Sequence, residues 1–158
     1  MTKEPPEKAR AYAYNLLRIQ PRSEKELSFR LKKKGFSESI SKETVSLLKK
    51  KGLLNDLKFA RAWVRARLKS NPKGDIVLRY ELHTKGISGE IIDKVLSENP
   101  ECEEVIAKRL AGDRIKALRG LPKLKAKKRL HDYLARRGFK CDIIEEVVNR
   151  LVGSVQDI

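Results

Sequence analysis

Three times in this 158-residue chain the pattern Leu-x3-Leu-x3-Gly is followed by Phe or Ile. The copies are Leu27, Leu31, Gly35, Phe36; then Leu78, Leu82, Gly86, Ile87; then Leu130, Leu134, Gly138, Phe139. The glycines lie 51 and 52 residues apart, a cation (Lys34, Lys85, Arg137) precedes each, and Ile40, Ile91 and Ile143 stand five residues beyond them. Two leucines four apart share one face of a helix, and a glycine just past the last turn supplies the left-handed C-cap. Each copy therefore reads as helix, glycine turn, helix. An earlier helix is repeated too, since Ala9, Tyr12 and Leu17 match Ala60, Trp63 and Leu68 in register. A period of about fifty residues is the mark of stacked modules, each too small to bury much core alone.

The local signals give the rest of the organisation. A helix over residues 7–19 carries Ala9, Tyr12, Ala13, Leu16 and Leu17 at helical spacing and is broken at Gln20-Pro21. Ser23 and Glu26 have capping-box spacing for the second helix, and Ser37 is placed to cap the third. Lys32 to Lys34 and Lys49 to Lys51 fall in last turns, where cations suit the helix dipole. Asn55 or Asp56 caps the next helix, Asn71-Pro72-Lys73-Gly74 ends it, Ser88 caps the helix holding Ile91, Ile92, Val95 and Leu96, and Asn99-Pro100 closes that module. Val105, Ile106, Leu110, Ile115 and Leu118 mark a helical region, and Gly120-Leu121-Pro122 leads to the last two helices. No strand-like alternation stands out. The expected fold is all-α: three tandem repeats of a three-helix unit, residues 1–53, 54–99 and a less regular 100–158, in an elongated or curved modular chain.

Lys and Arg number 37 against 21 Asp and Glu, for a formal charge of +16. That exceeds what solubility needs and suits an acidic partner: nucleic acid, an acidic protein surface or an anionic membrane. No run approaches the length of a spanning helix, and Met1-Thr2-Lys3-Glu4-Pro5-Pro6 lacks a signal-peptide pattern. Cys102 and Cys141 form no CxxC and read as reduced thiols. A cytoplasmic monomer is expected.

The cations are not scattered evenly. Lys58, Arg61, Arg65 and Lys69 recur at three- and four-residue steps on a different face from Leu57, Ala60, Val64 and Leu68, and no Asp or Glu falls between Lys58 and Lys69. Like charges at such steps repel one another by a few tenths of a kcal/mol per pair, so the stripe fits an acidic ligand better than a merely solvated face. Arg67 is counted with it, and Arg79 and Lys85, on the following helix, are weaker extensions. Arg binds phosphate or carboxylate bidentately. Lys123, Lys125, Lys127, Lys128 and Arg129, then Arg136 and Arg137, form the densest positive segment, a footprint for a nucleic-acid backbone or a solvated helix start. Trp63, the one tryptophan, has the means to stack on a base, but its match to Tyr12 favours core packing. No catalytic or metal pattern is present: His83 and His131 fall at different places in the repeat, and there is no P-loop, GxGxxG after a strand, HExxH or GxSxG. Neither enzyme activity nor a cofactor is expected.

The order of these pieces resembles the RecX regulatory proteins of bacteria. The resemblance runs from Arg22-Ser23-Glu24-Lys25-Glu26-Leu27 to Leu31-Lys32-Lys33-Lys34-Gly35-Phe36. It continues through Gly52-Leu53-Leu54-Asn55-Asp56, Phe59 to Leu68, and Glu81 to Ile87. It implies three-helix repeats and a modulator, usually an inhibitor, of the RecA recombinase, bound in the groove of the recombinase filament on single- or double-stranded DNA. The alternatives are a general nucleic-acid binder with no specific protein partner and an adaptor that stabilises a ribonucleoprotein.

Overall fold

A computed structural model describes residues 5–99 and 101–154. The expectations for Met1 to Glu4 and for Pro100 lie outside them. Nine helices form among the described residues: α1 Pro6–Ile19, α2 Glu24–Lys34, α3 Glu38–Lys50, α4 Asp56–Ser70, α5 Asp75–Thr84, α6 Gly89–Ser97, α7 Glu103–Lys116, α8 Lys123–Arg136 and α9 Cys141–Ser154. The described residues contain no strand, and the chain is all-α. By contacts it divides into two compact units: Met1–Trp63 with Leu82–Val95, and Val64–Glu81 with Leu96–Ile158.

In the first unit α1, α2 and α3 pack on one another. Ala9, Ala13, Leu16, Leu27, Leu31, Phe36 and Leu48 are buried there, with Tyr12 and Leu17 at the margin. Fully burying one such leucine contributes roughly 2 kcal/mol. The capping box is formed as read: Ser23 Oγ accepts from Glu26 N at 3.1 Å, and Glu26 Oε2 accepts from Ser23 N at 3.3 Å. Ser37 accepts from Ile40 N and Ser88 from Ile91 N. Gly35 closes α2 in the left-handed region, at φ 110°. In the second unit α7, α8 and α9 pack together around Ile106, Ala107, Ala111, Leu130, Leu134, Phe139, Val147 and Val148. Val105 points outward, since the inner face of α7 is drawn through Ile106, Ala107 and Ala111.

The cation before each glycine has a physical reason. Lys34 Nζ lies 5.7 Å from the Tyr12 ring centroid. Lys85 Nζ lies 5.0 Å from the Trp63 ring, which also stacks on Phe59 at 5.9 Å. The matched pairs Tyr12–Lys34 and Trp63–Lys85 are the same cation–π contact, repeated. Trp63 is thus half-buried and engaged by its own unit, in line with a packing role. Lys85 also pairs with Glu26 at 2.5 Å, which takes it away from the suggested extension of the cationic stripe.

Two carboxylates tie helix starts together. Asn55 caps α4, accepting from Lys58 N at 3.0 Å. Asp56 instead reaches out, and its Oδ1 accepts from Glu24 N at 2.8 Å, at the start of α2. Glu103 does the same one period later. Its Oε1 accepts from Asp75 N at 3.1 Å, at the start of α5, and from Lys140 N at 3.3 Å, just before α9. Burial is the main cause that holds both carboxyls above their ordinary pKa. A raised folded pKa means the folded chain binds the proton more tightly. Their stabilising contribution is therefore complete below the ordinary carboxylate range and declines as pH rises through the raised values. Asp56→Asn keeps an acceptor for Glu24 N without the charge, so it should hold or raise stability at neutral pH, whereas Asp56→Ala should lose about 1 kcal/mol. Thermal melts from about pH 4 to about pH 7 check the sign. The advantage of the Asp56→Asn variant over the parent should grow toward neutral pH, and a constant difference would count against it.

Candidate functional site

α4 is one unbroken helix. At 3.6 residues per turn, Lys58, Arg61, Arg65 and Lys69 fall within about 80° of one another around its axis, while Arg67 stands about 180° from Lys58. The structure uses that difference. Lys58, Arg65 and Lys69 are exposed and Arg61 is half-buried, whereas Ala60 and Val64 are buried. Arg67 turns to α5, where its Nε donates to Glu81 Oε2 at 2.9 Å. The sequence grouped Arg67 with the stripe; its geometry makes it a tie between α4 and α5. Arg79, on α5, is exposed.

The second candidate segment also separates into two parts. Lys123, Lys125, Lys127, Lys128 and Arg129 are exposed along the first turns of α8. The first turn holds no acid and Pro122 gives no side-chain cap. Cations at a helix N-terminus oppose the dipole, each by a few tenths of a kcal/mol, so the fold does not account for them. Arg136 is exposed as well. Arg137 is not part of that surface. Its guanidinium donates to Asn71 Oδ1 and Pro72 O, both at 2.9 Å, and lies 4.9 Å from the Tyr133 ring centroid. It is occupied in binding the α4–α5 turn.

By contrast, several lysines of α2 and α3 are engaged by acids. Lys49 meets Glu24 at 3.1 Å, and Lys32 and Lys42 share Glu38, whose pKa they lower. Sequence reasoning did not find Asp56, Glu103 or the buried Ser23 as tertiary links. The signal was there for the first two: acids opening helices in a chain of +16. For Ser23, whose Oγ also donates to Lys85 O at 2.5 Å, the capping-box pattern gave no hint of a second partner. No group of three His, Cys, Asp or Glu residues that could hold a metal occurs among the described residues. No helix among them is long and apolar enough to cross a membrane.

Comparisons with known proteins agree with one another. The family described as RecX, first three-helix domain, matches residues 9–52, and RecX, second three-helix domain, matches residues 55–96. The chain is 35% identical over 149 residues to the regulatory protein RecX of Streptomyces coelicolor, covering 94% of this chain and 79% of the relative. It is 35% identical over 150 residues to that of Chlorobium phaeobacteroides, covering 93% and 95%. Among solved structures, a regulatory protein RecX superposes with a TM-score of 0.79 at 26% identity, covering 90% of this chain and 72% of that one. The RecX of Lactobacillus salivarius shares the fold with a TM-score of 0.84 at 24% identity, covering 92% and 96%. Helix order, glycine turns and extended identity converge, and the chain belongs to the RecX family of regulatory proteins.

Proposed function

We propose that this chain binds the filament that the RecA recombinase forms on DNA and inhibits its recombinase and ATPase activities, acting as a cytoplasmic monomer without chemistry of its own. The observation that carries the reading is the α4 stripe, where Lys58, Arg65 and Lys69 are exposed on a face of the helix that holds no acid. A filament on DNA offers both acidic side chains and phosphates to such a face, and Arg serves either. The repeat boundaries at 1–53, 54–99 and 100–158 belong to the same proposal: successive modules would meet successive protomers along the filament. The unneutralised lysines of α8 support DNA-backbone contact and keep alive the reading of a general nucleic-acid binder.

The test is ATP hydrolysis by preformed RecA filaments on single-stranded DNA as the protein is added, beside its binding to the same DNA without recombinase. Hydrolysis is expected to fall at protein concentrations that leave bare DNA mostly unbound. If it falls only once bare DNA is saturated, or does not change, the protein is a general nucleic-acid binder whose affinity declines steeply with salt.

A further inference from the structure

Between α8 and α9 runs an open groove of about 690 Å³. Leu124 and Pro122 form its apolar wall over the buried Val148, His131 lies beside them, and Lys125, Lys127 and Lys128 form its rim. Leu124 is 81% exposed, the most exposed large apolar side chain among the described residues. Among the described residues no carboxylate pairs with those three lysines.

The first unit holds a groove of the same descent. It lies between α2 and α3, has a volume of about 430 Å³, and includes Glu24, Ser28 and Val45. Counted from the repeat leucines Leu27 and Leu130, Glu24 answers to Lys127, Ser28 to His131 and Val45 to Val148. The earlier groove, lined also by Lys42 and Lys50, holds an acid of its own, Glu24, which pairs with Lys49 at 3.1 Å. The later one replaces that acid with Lys127. It is also lengthened: α8 has 14 residues against 11 in α2, and the added turn carries Leu124 to the groove edge.

We propose that the α8–α9 groove is a docking site for an acidic, amphipathic segment of a partner protein, an aliphatic side chain seated against Leu124 and Pro122 and carboxylates on the lysine rim. Charge selects this occupant. A second copy of the chain brings +16 of its own to a face already positive, and the N-terminal end of α8 adds its dipole in favour of an anion. The wall favours protein over nucleic acid: its exposed apolar side chain is the aliphatic Leu124, and a single aromatic ring, His131, lines the groove, whereas single strands are held on successive aromatic rings. The site lies apart from α4 and its test requires no recombinase, so it does not depend on the filament contact proposed for α4; it competes with DNA backbone for the same α8 lysines, and the oligothymidylate arm of the test separates the two.

The probe is a fluorescent peptide of about fourteen residues, rich in glutamate, with leucines at i, i+4 and i+7 to form one apolar stripe. A control peptide has the same composition with the leucines dispersed, and an oligothymidylate of equal charge stands for nucleic acid. All are titrated into the full chain at about 0.15 M salt. The striped peptide should bind at least about tenfold more tightly than the dispersed one. Leu124→Ser should weaken it by about tenfold, in keeping with loss of one buried aliphatic contact, while retaining oligothymidylate binding, and Lys127→Glu should weaken it further. Equal binding of the two peptides, or indifference to Leu124→Ser, overturns the proposal in favour of a diffuse cationic surface. Oligothymidylate displacing the striped peptide with the same dependence on Leu124 assigns the groove to nucleic acid and overturns it as well.

Discussion

Gly74→Ala should lower stability by about 3 kcal/mol, seen as a fall of roughly 10 °C in the far-UV thermal midpoint. Gly74 is buried at the start of α5, and a Cβ there would lie 2.5 Å from Phe139 N and closer still to the carbonyl of Gly138. All the opposing atoms are backbone, so no side chain can swing aside. Nor can the turn retreat freely. Gly74 N donates to Arg137 O at 2.8 Å and Ile76 N to Gly138 O at 3.1 Å, each bond worth about 1 kcal/mol. Gly138 itself sits at φ +83° and faces Val77, whose N would be 2.7 Å from an added Cβ, so this turn is closed on both sides. Gly89→Ala is the control: its added methyl meets open space at the first position of α6, where removing a glycine should change stability by less than about 1 kcal/mol. If the two variants melted alike, the close approach of these two turns would not exist in solution.

The recurring glycines do not all carry such a contact. Sequence periodicity read Gly35, Gly86 and Gly138 as helix stops, and all three have positive φ. An added Cβ at Gly35 meets nothing within 4 Å, yet at Gly86 it would strike Lys25 and at Gly138 it would strike Val77. The first glycine serves only its turn; the later two also admit the helix start of an earlier segment. A motif scan sees identical residues because the local requirement is identical, and the second requirement is tertiary. The same division runs through the fold. Core leucines, caps and breaks depend on spacing along one helix and were legible. Asp56 and Glu103 depend on what lies across from a helix start, and no spacing rule reports that.

The candidate site was legible to the same degree. Charge density located α4 and the first turns of α8, but density does not record direction. Arg67 and Arg137 lie one or two residues from exposed cations and point into Glu81 and the Asn71–Pro72 turn. For Arg67 the helical angle alone was enough to separate it from the stripe. For Arg137 no such angle helped, since its partners lie 66 and 65 residues away.

Those directions decide how the interface must be tested. Replacing Lys58, Arg65 and Lys69 together with Glu should weaken binding to the recombinase filament by more than about a hundredfold at about 0.1 M salt, while helical content and thermal midpoint stay near those of the parent. All three side chains are exposed, so reversing them disturbs no packing, and three glutamates at those steps repel one another no more than the cations did. If phosphates are among their ligands, the dependence of log affinity on log salt should become shallower by up to about three, because fewer counterions are released. Arg67→Glu is a poor substitute. It would set a second carboxylate beside Glu81 in place of a 2.9 Å ion pair, and any loss of binding would be confounded with a loss of fold. Lys123, Lys125 and Arg129 reversed together give the companion variant, exposed likewise and confined to α8. A filament that releases the α4 variant but keeps the α8 variant places the contact on α4. The opposite pattern would move the interface to α8 and leave the α4 stripe without a partner.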